Sequence, residues 1–163
     1  MKNLLSGINR AFLFAFVSMY FGTGWSLVFF SFPVAPQLTV DNYYLQFVPQ
    51  VTAATNFFTY MTMLMMISCG IIIIEEWKTT VKWYAIIILL LVILATMLTI
   101  AYIFPYNHAM EEGITDPVVL KEVLGKWLRL NVIRVSIWTL QWLTMAVYFV
   151  EIYVKVRKTA SAH

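Results

Sequence analysis

One helical stripe between residues 127 and 148 holds the largest set of side chains that could do chemistry. With about 3.6 residues per turn, spacings of three and four place two amides and a guanidinium on one face, between aromatic rings. The members are Trp127, Asn131, Arg134, Trp138, Gln141, Met145 and Tyr148. A charged side chain in an apolar helix usually faces a bundle interior or a cavity. The stripe therefore predicts either hydrogen bonds between helices or a surface for a ligand, and Arg134 alone could instead extend its charged head to a membrane surface.

Two polar side chains outside this stripe could approach it. Asn56 shares one face of an apolar segment with Thr52, Thr55, Thr59 and Met63, and His108 follows a later apolar segment. A histidine transfers protons near neutral pH, so His108 could act as an acid or a base. The alternatives are that Asn56 and the threonines join helices by hydrogen bonds, and that His108 is a solvated residue at a helix end.

The sequence predicts no metal and no other cofactor. Metal sites in helical bundles need several histidine and carboxylate ligands, whereas this chain has two histidines, and one of them is the terminal His163. The single Cys69 can form neither an internal disulfide nor a cysteine cluster. Thioethers suit Cu(I), but the methionines within residues 61–66 do not share one face, and methionine commonly fills gaps in apolar packing.

The composition indicates that these residues lie in a membrane protein. Of 163 residues, 61% are hydrophobic and 12% are charged, and the mean hydropathy is +0.79. A soluble domain carries about 25% charged residues, so the composition excludes a soluble enzyme, a disordered chain and a secreted disulfide scaffold. The net charge of +3 is too small and too dispersed to indicate a nucleic-acid partner. The expected partner is the lipid bilayer, and residues 1–163 are expected to form one membrane domain.

Four apolar runs are long enough to be transmembrane helices, which need about 20 residues. They cover residues 11–32, 51–74, 84–104 and 130–150, and the five prolines fall between them. Backbone polar groups in lipid must be satisfied internally, so the sequence predicts an all-α integral membrane four-helix bundle. The first run exceeds the about 7–15 apolar residues of a signal peptide, and we expect it to be a retained helix.

The connections between the runs predict one further helix and an orientation. Asp116 as N-cap and Pro117 at the first helical position start a short amphipathic helix, residues 117–126, on the outer surface before the fourth run. Seven lysines and arginines lie at one end of the predicted bundle and three in the connection at the other end. The positive-inside rule then places both termini in the cytoplasm, which suits a plasma membrane or an inner membrane.

Residues 105–145, about a quarter of the chain, resemble a known family. The pattern Pro105-x-Asn107, then Asp116-Pro117, then Trp127-x-x-x-Asn131-x-x-Arg134 is similar to that of small four-helix membrane proteins described as anthrone-oxygenase-like. The resemblance implies that Asn107, Trp127, Asn131 and Arg134 are signature positions. It also implies the activity of the best-known members, which oxidise polycyclic anthrones to anthraquinones with molecular oxygen.

Together these features predict a pocket in the outer half of the bundle for an apolar aromatic or quinone-like molecule. Aromatic walls with a few convergent polar groups are typical of small-molecule sites. The expected ligand-binding residues are Asn56, Asn107, Trp127, Asn131, Trp138 and Gln141, and the expected catalytic residues are Arg134 and His108. In a cofactor-free oxygenase, Arg134 would stabilise a deprotonated phenol or enol, with His108 as the base.

The alternative prediction is a non-catalytic accessory or scaffold subunit. In that case the polar stripe would form hydrogen bonds with the second helix, with another membrane subunit or with a second copy of the chain. A transporter is a weaker alternative, because the sequence has no sign of the inverted repeat or the broken helices that many transporters have.

Overall fold

Helices account for nearly all of the residues that the structure describes, 2–161. In this computed structural model the helices are α1 (Lys2–Ser26), α2 (Tyr43–Glu75), α3 (Lys82–Leu98), α4 (Phe104–Glu112) and α5 (Pro117–Ala160). No strand occurs among the described residues. Four helical stretches are long and apolar enough to cross a membrane. The predicted all-α fold with four such helices is therefore confirmed, and most of the helices extend beyond the apolar runs that predicted them.

Two π-helical turns interrupt the regular helical hydrogen bonding. Leu27–Ser31 ends the first helical stretch, and Thr99–Ile103 joins α3 to α4. Pro105 follows the second turn and lacks the N–H group that would bond to the carbonyl of Ala101. Single π turns of this kind are frequent near functional sites.

The helix start predicted at Asp116 is confirmed. Gly113 ends α4 with φ +95°, a left-handed conformation that favours glycine and reverses the chain. After this turn the Asp116 carboxylate accepts hydrogen bonds from the N–H groups of Val118 at 2.7 Å and Val119 at 3.4 Å. Pro117 is the first residue of α5. This N-cap satisfies donors that the first helical turn leaves without partners.

Two predictions about helix boundaries are wrong. The amphipathic stretch 117–126 is not a separate helix, because α5 continues without interruption to Ala160. No proline follows Pro117 in this helix, and Gly125 weakens a helix by only about 1 kcal/mol. The second wrong prediction is that Pro49 lies between helices. It lies inside α2, because that helix begins at Tyr43.

The long helices form a ring in the order α1, α2, α3, α5, and α4 packs against α2 and α5 at one end, which we call the α4 end. Two clusters of buried side chains fill different parts of the ring. The large core includes Leu13, Val17, Met65, Ile88 and Tyr148, and the small core at the α4 end includes Ala35, Tyr43, Met110, Leu120 and Trp127.

Polar contacts join the helices at the other end of the bundle, the terminal end. Arg10 forms an ion pair with Glu76 at 2.6 Å, which connects the start of α1 to the end of α2. The Lys155 ammonium donates to the Thr80 hydroxyl at 3.3 Å, which connects α5 to the turn before α3. The first and last helices and the connection between α2 and α3 therefore meet at the same end.

Tyr43 holds the α4 end together, and its removal is expected to destabilise the protein. The Tyr43 hydroxyl donates to the carbonyl of Met110 at 3.3 Å and accepts a hydrogen bond from the N–H group of Ile114. Tyr43→Phe leaves both backbone groups without this partner, so we expect a loss of about 1–3 kcal/mol in the free energy of unfolding. Denaturant titration in detergent measures the change. The exposed neighbour Tyr44 is the matched control, and an equal loss in Tyr44→Phe would contradict this role.

Candidate functional site

A cavity of about 690 Å³ lies between the large core and the small core. Residues from all four long helical stretches line it, including residues of both π-helical turns. Its volume falls within the about 300–1,000 Å³ that is typical of small-molecule sites. The cavity is therefore large enough for a ligand of several fused rings or a similar apolar molecule.

The walls of the cavity are mainly apolar. Aromatic side chains surround it on several sides, and thioethers of α2 form part of the wall. These residues are Phe30, Phe47, Phe58, Phe104, Trp127, Trp138, Met63, Met65 and Met66. Aromatic rings favour stacked or edge-on contacts with other rings, and methionine adapts to different ligand shapes. The walls suit a flat apolar molecule.

Arg134 is the only charged side chain among the described residues that line the cavity. Its guanidinium lies over the Trp138 ring, 4.7 Å from the ring centroid. Within residues 2–161 it forms no ion pair and no hydrogen bond, and its Nε atom is buried without a partner. The cation–π contact compensates part of the lost hydration. The remaining donors of the guanidinium are free for an acceptor in the cavity.

Trp138 and Tyr20 form one packed part of the cavity wall. The two rings meet edge to face with their centroids 4.8 Å apart. The Tyr20 hydroxyl donates to the carbonyl of Phe58 at 2.8 Å and lies 2.6 Å from the Thr62 hydroxyl. These bonds attach α1 to α2 at the cavity wall, since Tyr20, Phe58 and Thr62 all line it, and they fix the ring against which Trp138 packs.

Gln141 is the lining residue of α5 that lies nearest the terminal end. It lines the cavity and is only 1% exposed. Its side chain makes no hydrogen bond to any residue that the structure describes, and Oε1 is buried without a partner. A buried amide without partners is costly, so a polar group of a ligand or a water molecule would be stabilised here.

Trp127 and Asn107 close the cavity at the α4 end. The Trp127 indole N–H donates to Oδ1 of Asn107 at 2.8 Å, which connects α5 to α4. The Phe47 ring of α2 packs edge-on against the Trp127 ring at 4.7 Å. Both residues of the N–H···O bond line the cavity, as the sequence predicted for a shared pocket.

Three predicted site residues do not line the cavity. Asn131 is fully buried, and its amide donates to the carbonyl of Trp127 at 2.8 Å, one turn earlier in α5. Asn56 is exposed on α2, whereas its neighbour Thr55 lines the cavity. His108 has a side chain that is 68% exposed and lies 3.4 Å from Glu111, so it does not line the cavity into which Arg134 projects. The α4 helix turns His108 outward while Asn107 points inward.

Of the predicted face of α2, Thr55, Thr59 and Met63 line the cavity, whereas Thr52 and Asn56 do not. Tyr20 and Phe58 also line it, but they lie in strongly apolar helices whose inward face no periodicity reveals. No group of three or more potential metal ligands occurs among the described residues. Comparisons with protein-family models, curated proteins and solved structures find no match for this chain. The chemistry of the cavity therefore carries the functional inference.

Gly24 keeps α1 close enough to α5 to hold Trp138 in place, and adding a methyl group there should disturb the site. A Cβ atom at Gly24 would lie 2.9 Å from Cε3 of Trp138 and 3.1 Å from a methyl group of Val135. We expect Gly24→Ala to lower the free energy of unfolding by about 1–3 kcal/mol through overpacking. Denaturant titration in detergent measures the loss.

The control for this prediction is two residues away in the same helix. A Cβ atom at Gly22 meets nothing within 4 Å. Gly22→Ala should therefore leave stability unchanged, or raise it by up to about 1 kcal/mol through helix propensity. Equal effects of the two substitutions would show that the close approach to Trp138 does not constrain the bundle.

Proposed function

We propose that this chain is a multi-pass membrane protein that binds an apolar aromatic or quinone-like small molecule inside its helical bundle. The observation that carries this proposal is a cavity of about 690 Å³ lined by aromatic rings and one unpaired guanidinium. A polar stripe that only joins helices is expected to be filled by packing, whereas here an open volume remains beside Arg134. The cavity thus favours ligand binding over the scaffold alternative.

The distribution of polar groups supports a ligand with few polar atoms. Arg134 and Gln141 lie one turn either side of Trp138 in α5, and most of the cavity wall is apolar. Of the other polar lining residues, Thr59, Thr96 and Thr99 bond to carbonyls of their own helices. A flat ring system against Trp138 with one or two oxygens would match this distribution. The resemblance of residues 105–145 to anthrone-oxygenase-like proteins supports the same ligand class.

The lining of the cavity supports ligand binding more strongly than oxidation of the ligand. A cofactor-free oxidation needs a base, and neither a histidine nor a carboxylate is among the described residues that line the cavity. His108, the base expected from the sequence, is exposed and lies beside Glu111. Arg134 could still stabilise a ligand that arrives as an anion. Ligand binding therefore has stronger support than an oxygenase reaction.

A naphthoquinone titration tests the proposed function. We expect 2-methyl-1,4-naphthoquinone to quench the tryptophan fluorescence of the purified protein in non-ionic detergent, because tryptophan rings line the cavity. Thr55→Phe fills the cavity and should weaken binding at least about tenfold, or 1.4 kcal/mol. Asn56→Phe, at the exposed neighbour, and His108→Gln should leave the affinity unchanged. Equal binding by the Thr55 and Asn56 variants would refute the cavity as the site.

We further propose that both termini face the cytoplasm and that the α4 end faces outward. Support comes from the excess of lysine and arginine at the terminal end. The exposed Thr115 lies in the turn before α5, and the exposed Lys78 lies in the turn before α3.

Cysteine labelling of intact cells tests this orientation. A membrane-impermeant maleimide should label Thr115→Cys and leave Lys78→Cys unlabelled until the cells are opened. The native Cys69 is buried, so the unmodified protein serves as the blank. The reverse labelling pattern would overturn the orientation.

A further inference from the structure

Arg134 and Arg10 occupy different electrostatic environments. Arg10 at the terminal end has two carboxylates nearby, Glu76 at 2.6 Å and Glu75 at 3.6 Å. Arg134 has no carboxylate partner within the described residues, although it lies in an apolar surrounding where a lone charge is strongly disfavoured. A guanidinium binds oxyanions through two parallel N–H···O bonds. An oxyanion of the ligand would therefore complete this site as Glu76 completes that of Arg10.

Gln141 is a second lining residue of the same cavity that has a polar atom without a hydrogen-bond partner. Its amide is buried, and its Oε1 atom has no donor. A hydroxyl group both donates and accepts hydrogen bonds, so it can satisfy an amide side chain in either of its two orientations. A hydroxyl group of the ligand is the simplest partner for Gln141.

The helix fixes the distance between the Arg134 guanidinium and the Gln141 amide. Arg134 and Gln141 are seven residues apart, which is nearly two turns, so their side chains leave the same face of α5 about 10 Å apart along the axis. Trp138 lies between them and lines the cavity. The arrangement offers a cation, an aromatic surface and an amide in one row.

We infer that the ligand of this cavity is an elongated aromatic acid that carries its oxyanion at Arg134, its ring system at Trp138 and a hydroxyl group at Gln141. This inference rests on the proposed function, since it specifies the ligand of the same cavity. A carboxylate and an ionised enol supply the same oxyanion chemistry to a guanidinium. Selectivity then depends on charge at one end and on hydrogen bonding at the other.

Three related probes separate the contribution of the oxyanion to binding from that of the hydroxyl group. The compound 6-hydroxy-2-naphthoate carries a carboxylate and a hydroxyl group at opposite ends of two fused rings. Its methyl ester lacks the charge, and 2-naphthoate lacks the hydroxyl group. Fluorescence anisotropy with the detergent-purified protein, at one fixed micelle concentration, gives the three affinities. We expect the hydroxy acid to bind about tenfold or more tightly than either analogue.

Substitutions assign each preference to its residue. Arg134→Gln should abolish the preference for the acid over the ester, whereas Arg134→Lys should retain part of it, because lysine keeps the charge but not the planar fork. Gln141→Leu should lower the affinity for 6-hydroxy-2-naphthoate to that for 2-naphthoate and leave 2-naphthoate unaffected. The matched control is Arg129→Gln, an exposed arginine of the same helix that does not line the cavity.

An ionised hydroxynaphthoquinone and its neutral methyl ether repeat the charge comparison with an enolate in place of the carboxylate. If the naphthoate binds more tightly than the enolate, the ligand is assigned as a carboxylic acid. If the enolate binds more tightly, the ligand is assigned as an acidic enol. Either result supports the inference, provided that Arg134→Gln removes the preference for the anion.

Two results would overturn the inference. One is equal affinity of the unmodified protein for the acid and its ester. This test uses no variant, so it does not depend on whether a variant folds. The other is an acid preference that persists in Arg134→Gln. If 2-methyl-1,4-naphthoquinone still binds in that case, the proposed function stands and only the ligand's charge is wrong. If neither the quinone nor any naphthoate binds, the proposed function fails as well.

Discussion

The unpaired guanidinium of Arg134 is the constraint on which the rest of the site depends. A charge inside a membrane bundle normally faces a carboxylate, a backbone carbonyl or water, whereas the Arg134 guanidinium packs over the Trp138 ring and has no hydrogen-bond or ion-pair partner among the described residues. Cation–π attraction contributes about 2 kcal/mol in a desolvated site, which is less than the cost of burying a charge. The protein therefore keeps an open volume beside Arg134 instead of packing an apolar side chain against it.

The bundle maintains this open volume because its two cores are stabilised separately. At the terminal end, the large core and the Arg10–Glu76 ion pair hold α1 against α2. At the α4 end, the Tyr43 hydroxyl and the bond between Trp127 and Asn107 hold α4 in place. The π-helical turns fall at the level of the cavity, where the regular α-helical hydrogen bonding changes. Neither core has to collapse onto the cavity to be well packed.

The sequence predicted the part of the site that one helix determines. Spacings of four and seven residues in α5 placed Arg134, Trp138 and Gln141 on one face, and all three line the cavity. The same periodicity failed for Asn131, because its amide bonds locally to the backbone one turn earlier. In α2 the predicted polar face is partly correct, because Thr55, Thr59 and Met63 line the cavity whereas Asn56 is exposed. Apolar residues surround this helix, so the pattern could not decide which of these positions face inward. The outward position of His108 depends on α4, a helix that the sequence analysis did not predict.

The most direct test of a ligand-binding cavity at Arg134 is native mass spectrometry of the protein released gently from its own membrane. We expect a near-stoichiometric adduct that, after extraction, proves to be an aromatic acid or a quinone-like molecule. The adduct should disappear in Arg134→Gln and persist in Arg129→Gln. A protein without any bound small molecule that instead retains a second polypeptide would contradict the account and favour an accessory subunit.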